Sequence, residues 1–455
     1  MPFNQRYAPS VPFGQETVRP WPGKPWESPQ ERPLVLRLLA AGVLATSFLE
    51  GYIVSNVQFL RTPAGVMAAL LVAGFILLRL GRGQWVSGPA YAAVLFLVMV
   101  STAQACHLLF DIGPAGEGQP LPAYLQYVQV VILYLVVYDL ARDPRTVKAM
   151  AVALVGSTIL MSIVANAGIG ESAIQYNNTR AGVGGINLNG QAFLYSVSIV
   201  GIVGWTLIRW PRYRWFDAVL MVGVYSMLLA SMKTASRGGT AALAVGILCT
   251  SILCFRRDRL RAYVVIVPLL IGGFFLMSPR AELLKQRIDA TVYEDDTGMR
   301  VELAQGAMEL IPKRPLIGFG ADYSLVLGRH MGRNRPIAAH GTPTQITLSF
   351  GLLGFFPWIL LIAMLVRIGW RSRSSPWGAI LLSLLVTTLS LCVAANFGYD
   401  QYVWILFALV SRAGSLAHLS IHSFDRCPVP TGARQVFVAN ARSSLVPRSN
   451  GVLQP

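Results

Sequence analysis

The chain has 455 residues, of which 54% are hydrophobic and only 13% charged, and its mean hydropathy is +0.53. A soluble fold keeps about a quarter of its residues charged, so most of this chain is surrounded by lipid and a water-soluble enzyme is excluded. The net charge of +17 lies mostly in loops between apolar runs, which argues against nucleic acid as a partner.

Residues 1–33 are Pro-rich and polar and read as a disordered cytoplasmic arm without a signal peptide. Apolar runs of roughly 20 residues follow, each long enough to cross a hydrocarbon core about 30 Å thick. They predict spans near 34–56, 63–80, 89–110, 121–140, 146–168, 190–208, 216–234, 239–255 and 261–278. After a long polar stretch come 345–366, 377–396 and 401–419. The expected architecture is therefore an all-α integral membrane protein with about twelve transmembrane helices, both termini cytoplasmic and one large outer loop.

Charge tests this count, because cytoplasmic loops retain Lys and Arg. Alternate loops do so: Arg79 and Arg82; Arg142, Arg145 and Lys148; Arg209, Arg212 and Arg214; RRDRLR at 256–261; Arg367, Arg371 and Arg373. The short loops between them hold only Arg61, Arg180, Lys233 and Arg237, and 111–120 holds no basic residue. The domain plan is spans one to nine over 34–278, the large loop over 279–344, spans ten to twelve over 345–419, and a cytoplasmic tail from 420 to 455. In the large loop, RVELAQGAMELI at 300–311 predicts an amphipathic helix with Val301, Ala304, Met308 and Ile311 on its apolar face. The Gly-rich KRPLIGFGADY that follows can sit beside a membrane only if it packs on protein or lines a wet cavity.

The five cysteines have no metal-ligand spacing, and neither a DxD pair nor clustered carboxylates suggest a metal site; Glu294, Asp295 and Asp296 read as a solvated loop face. No cofactor is expected. The chemistry-bearing candidates are the rare basic residues on the outer side: Arg180, Arg237, Arg300 and His340. The simpler reading has each Arg snorkelling to lipid phosphate and the His making an ordinary polar contact. Glu50 and His107, toward the outer ends of spans one and three, read as packing or hydrogen-bonding groups.

Four ordered segments change the balance: RAGVGGINLNGQAF at 180–193, SRGGTAAL at 236–243, RVELAQGAMELIPKRPLIGFGADYS at 300–324 and HGTPTQITLSFGLLG at 340–354. Together they resemble the O-antigen ligase and polymerase superfamily of bacterial inner-membrane proteins, over about 180–365. Two departures are Gly341, where the family most often has Asn, Ser or Gln, and Leu303 or Ala304 in place of a common Trp. The resemblance implies a GT-C-like fold with a periplasmic active site. It implies transfer of a glycan from undecaprenyl diphosphate to lipid A-core (a ligase) or to nascent O-antigen or exopolysaccharide (a polymerase).

The residues suit that chemistry. Planar, permanently charged guanidiniums hold diphosphate oxygens in pairs, and Arg237 and Arg300 are the candidates to offset charge on the leaving group. His340 is the candidate general base, or an orienting partner of the acceptor hydroxyl, and the transfer would be metal-independent and inverting. Arg180, Asn187, Asn189, Lys233, Arg314 and Asp400 are candidate substrate-binding residues. The rival from another class is a flippase or exporter, which broken mid-membrane helices and an internal repeat would favour.

Overall fold

A computed structural model describes residues 34–42, 88–109, 120–169, 171–173, 181–183, 188–209, 214–234, 236–255, 298–398 and 400–417. Expected spans two and nine, and most of span one, lie outside these residues. Among the described residues seven helices are long and apolar enough to cross a membrane, and two shorter apolar helices accompany them. The chain is a multi-pass membrane protein.

Residues 34–42 are helical. The next elements are α1 (Pro89–Leu109), α2 (Pro120–Leu140), α3 (Pro144–Asn166), α4 (Leu188–Arg209), α5 (Arg214–Thr234) and α6 (Arg237–Phe255). The segment expected as the outer loop forms α7 (Gly298–Leu310) and α8 (Tyr323–His330), and the bundle ends with α9 (Thr342–Ser372), α10 (Pro376–Ala394), α11 (Gln401–Ser411) and α12 (Ala413–Ala417). Helix starts follow the chemistry of their caps. Asp143 accepts from the N–H of Arg145, Ser375 from that of Gly378, and each precedes a proline at the first helical position.

The described elements are helical apart from one short ribbon. Glu171–Ala173 and Ala181–Val183 pair as a short antiparallel ribbon between α3 and α4, because a loop leaving two helix ends must satisfy its own backbone groups. The expected twelfth span, 401–419, is interrupted. At Arg412 the guanidinium lies 3.7 Å from the centroid of the Tyr138 ring and its Nε donates to the Tyr138 carbonyl, separating α11 from α12.

The core depends on close approach of backbones, as lipid supplies no hydrophobic drive between helices. A methyl group added at Gly239 would lie 2.5 Å from the Ala192 Cβ, and one at Gly238 would lie 2.8 Å from the Ala394 Cβ. One at Gly246 would strike the Thr387 hydroxyl. These glycines draw α4, α6 and α10 together. Elsewhere α1 packs on α9, α2 on α11 and α3 on α5.

The bundle has two chemically distinct ends. One gathers Asp143, which binds Arg37 at 2.7 Å, with Asp139, Arg142 and Arg412 and the α9–α10 turn. The other gathers the ends of α1 and α3, the α5–α6 and α10–α11 junctions, the starts of α4 and α9, and 298–340. Within α7 the buried residues are Leu303, Gly306, Ala307 and Leu310, whereas Val301, Ala304 and Met308 are exposed. The expected apolar face of Val301, Ala304 and Met308 is thus not the one that packs on protein. Both stripes repeat at three and four residues, and α8 and the 319–327 segment cover the Leu303 stripe.

Candidate functional site at the loop end of the bundle

The segment 298–340 is anchored by a break in α9. Gly351 has φ 60° and ψ −151° inside the helix, which frees carbonyls before it and N–H groups after it. Residues 315–320 fill the gap. Phe319 N–H donates to the Leu348 carbonyl (2.7 Å) and Gly320 N–H to Ser349 (2.8 Å). In return Leu352 N–H donates to Pro315 (2.8 Å) and Leu353 N–H to Leu316 (3.1 Å). The Gly-rich stretch is therefore packed on protein, as its setting demanded. Helix α1 holds it from the other side: His107 Nε2 lies 3.1 Å from the Ile317 carbonyl, and the Gln104 side-chain oxygen accepts from Ala321 N–H. Arg314 stacks its guanidinium 5.3 Å from the Phe319 ring centroid.

From this anchor the chain runs to His340. Tyr323 accepts from the Ala339 N–H through its hydroxyl, and Ile337 N–H donates to the Ser324 carbonyl, so the approach to His340 is fixed on both sides. His340 is exposed. Gly341, with φ 92°, caps α9 where a side chain would meet the Val393 carbonyl at 3.0 Å. Thr342 donates its hydroxyl to the Ala395 carbonyl and accepts from Phe397 N–H, and Gln345 accepts from Gly398 N–H.

Arg237 is the first residue of α6. Ser236 before it accepts from Gly239 N–H and donates its hydroxyl to Asn189 Oδ1 at 3.0 Å. Gly238 abuts Ala394 and Gly341 abuts Val393. The backbone next to Arg237 and that next to His340 thus both lie against the same last turn of α10, from positions far apart in sequence.

The remaining candidates distribute as follows. Asn189 and Lys233 are at this end; Asn189 holds Ser236, and the Lys233 ammonium donates to the Ala165 and Asn166 carbonyls at the end of α3 (2.8 and 3.4 Å). Arg300 opens α7, but its side chain is outside the described residues, as are Arg180 and Asn187. The Gln104–His107 brace and the Ser236 tie carry the geometry without having been singled out as a pair; the only cue was two polar residues three apart on an apolar helix. Among the described residues no group of three or more His, Cys, Asp or Glu is arranged to hold a metal ion.

Asp400 caps α11, accepting from Tyr402 N–H at 2.9 Å. Its residue is partly exposed but the carboxyl turns inward, and burial pushes its pKa from 3.8 up to about 6, opposed by the Tyr402 and Val403 N–H groups. The native state therefore holds this proton more tightly than the unfolded chain, so the stabilising contribution is complete below pH 3.8 and lost as pH rises through about 6. Acidifying from pH 7 to 5 is expected to raise the thermal midpoint in detergent. Asp400→Asn, which keeps the cap acceptor and removes the charge, should abolish that rise and stabilise at pH 7 by on the order of 1–3 kcal/mol. Equal pH dependence in parent and variant would refute this assignment.

Residues 222–359 match the family model described as O-antigen ligase. The match spans Arg237, Arg300, Arg314 and His340 and ends in α9 just beyond the Gly351 break; Asn189 and Asp400 fall outside it. A search of the curated proteins gives no match.

Proposed function

We propose, from the premise that this chain is a member of the O-antigen ligase and polymerase superfamily, that it transfers a glycan from undecaprenyl diphosphate to an acceptor sugar at the periplasmic face of the bacterial inner membrane. The observation that carries this reading is the placement of the backbone next to Arg237 and next to His340 against one turn of α10, at the end of the bundle opposite Arg142, Asp143 and Arg412. Basic loops face the cytoplasm, so the loop end is the outer one and both termini are cytoplasmic.

In the reaction the acceptor oxygen attacks the anomeric carbon as its bond to the diphosphate oxygen breaks, and undecaprenyl diphosphate leaves. Direct displacement inverts the configuration. Arg237 and Arg300 offset charge on the departing diphosphate, which guanidiniums bind in bidentate fashion. His340, exposed beside the opening of α9, takes the hydroxyl proton. Asn189 and Lys233 contribute by fixing the backbone around Arg237, Arg180, Asn187 and Arg314 are proposed to meet the sugars, and Asp400 serves the site only by capping α11.

The test is transfer by purified protein in proteoliposomes supplied with lipid-linked donor and either lipid A-core or a second lipid-linked repeat. His340→Ala is expected to lower the rate by about 10²–10⁴-fold, the usual contribution of a general base. Full transfer by the His340→Ala, Arg237→Ala and Arg300→Ala variants would remove the site. The acceptor consumed separates ligase from polymerase. Movement of donor across the bilayer without a new glycosidic bond would make the protein a flippase instead.

A further inference from the structure

Helix α7 divides its circumference three ways. Leu303, Ala307 and Leu310 are buried against the rest of the segment 298–340. On one flank Glu302 and Glu309 face water and reach Arg333 (3.9 Å) and His330 (2.8 Å). The opposite flank carries Val301 and Met308, 51% and 72% exposed, with Ala304 between them. A helix lying in water has no reason to keep acids to one flank and apolar residues to the other; a helix at the boundary between protein, water and lipid does.

The apolar flank also has a neighbour of known character. Leu316, 63% exposed, follows the end of α7 and accepts from the Leu353 N–H of α9. One turn further along α9, Phe356, Ile359 and Leu360 are 62%, 40% and 46% exposed on a helix that crosses the membrane. The exposed apolar surface of α9 therefore continues through Leu316 toward α7.

We infer that α7 docks on the phospholipid leaflet that surrounds the loop end of the bundle, with Val301, Ala304, Met308 and Leu316 entering its acyl region. Docking sets the first turn of α7, which includes Arg300, at the depth of lipid phosphates. The inference goes beyond the transfer reading and is independent of it, because contact with lipid is read whether or not a glycan moves.

The full-length protein is reconstituted in phosphatidylethanolamine–phosphatidylglycerol vesicles doped with undecaprenyl phosphate, with p-benzoylphenylalanine at single positions, and adducts are weighed after irradiation. Val301, Met308 and Leu316→p-benzoylphenylalanine should each yield phospholipid adducts, and Glu302, Gln305 and Glu309→p-benzoylphenylalanine should not. All six positions are exposed, so the replacements leave the core intact. Equal adducts on both flanks, crosslinks to a second protein chain, or polyprenyl adducts in place of phospholipid would overturn it.

Discussion

Gly351→Ala is expected to unlock the segment 298–340 from the bundle, lowering the thermal midpoint and reducing the proposed transfer by about 10²-fold, the scale of a 1 Å misplacement at an active site. The conformation at Gly351, φ 60° with ψ −151°, lies in a region that essentially only glycine occupies, and forcing another residue there costs about 1–3 kcal/mol. The added methyl would also strike the Leu316 carbonyl and lie 2.6 Å from the Pro315 oxygen. Those are backbone atoms and cannot swing aside. Relief requires residues 315–320 to move, which breaks the four hydrogen bonds across the gap, each worth about 0.5–1.5 kcal/mol, and shifts the path to Tyr323 and Ala339 that fixes His340. Gly332→Ala is the control. Gly332 has a similar φ of 69° but open space around it, so its variant carries conformational strain alone. If the two variants melt and transfer alike, the break is not clamped as described.

The same region shows where sequence reading succeeds and where it stops. Spans such as 89–110, 121–140 and 216–234 were legible because length, apolarity and alternating basic loops are local signals, and they recur as α1, α2 and α5. The break at Gly351 was not. FGLLGF reads as uninterrupted apolar helix, and the groups that satisfy the broken ladder come from Pro315 to Gly320, more than one element upstream. Spacing alone does not tell which stripe of α7 packs on protein, because both repeat at three and four residues and only the packing partner decides. Arg412 lies inside an apolar run, and nothing local announces that Tyr138 waits to stack on it. Arg237 and His340 are legible in the sequence because the alternation of basic loops assigns them to the side where a cation or imidazole is rare. Their common support, the last turn of α10, is a tertiary fact that neither motif contains.

Arg237→Ala is expected to separate activity from stability. A cation at the first position of α6 faces the positive end of the helix dipole, an arrangement that costs about 0.3–1 kcal/mol when nothing anionic is bound. Folding alone would favour Ser or Asp there. The chain instead reinforces the position, with Ser236 capping the helix and bound to Asn189, and with Gly238 and Gly239 letting α10 and α4 close around it. With a diphosphate present, the dipole and the guanidinium attract the same charge. Removing the side chain should therefore lower kcat/KM by about 10²–10³-fold, the loss typical of one preorganised donor to developing charge, a loss larger than any accompanying fall in the thermal midpoint explains. Arg237→Lys keeps a point charge but not the planar fork, and should fall between the two, with much of its deficit in kcat because the diphosphate's charge grows as the bond breaks. Asn189→Ala should mimic a weaker form of the same defect, and Asn189→Asp, which retains the acceptor for Ser236, should restore it. An Arg237→Ala protein that loses transfer only in step with a falling midpoint would make this arginine a structural residue, and the diphosphate would need another partner.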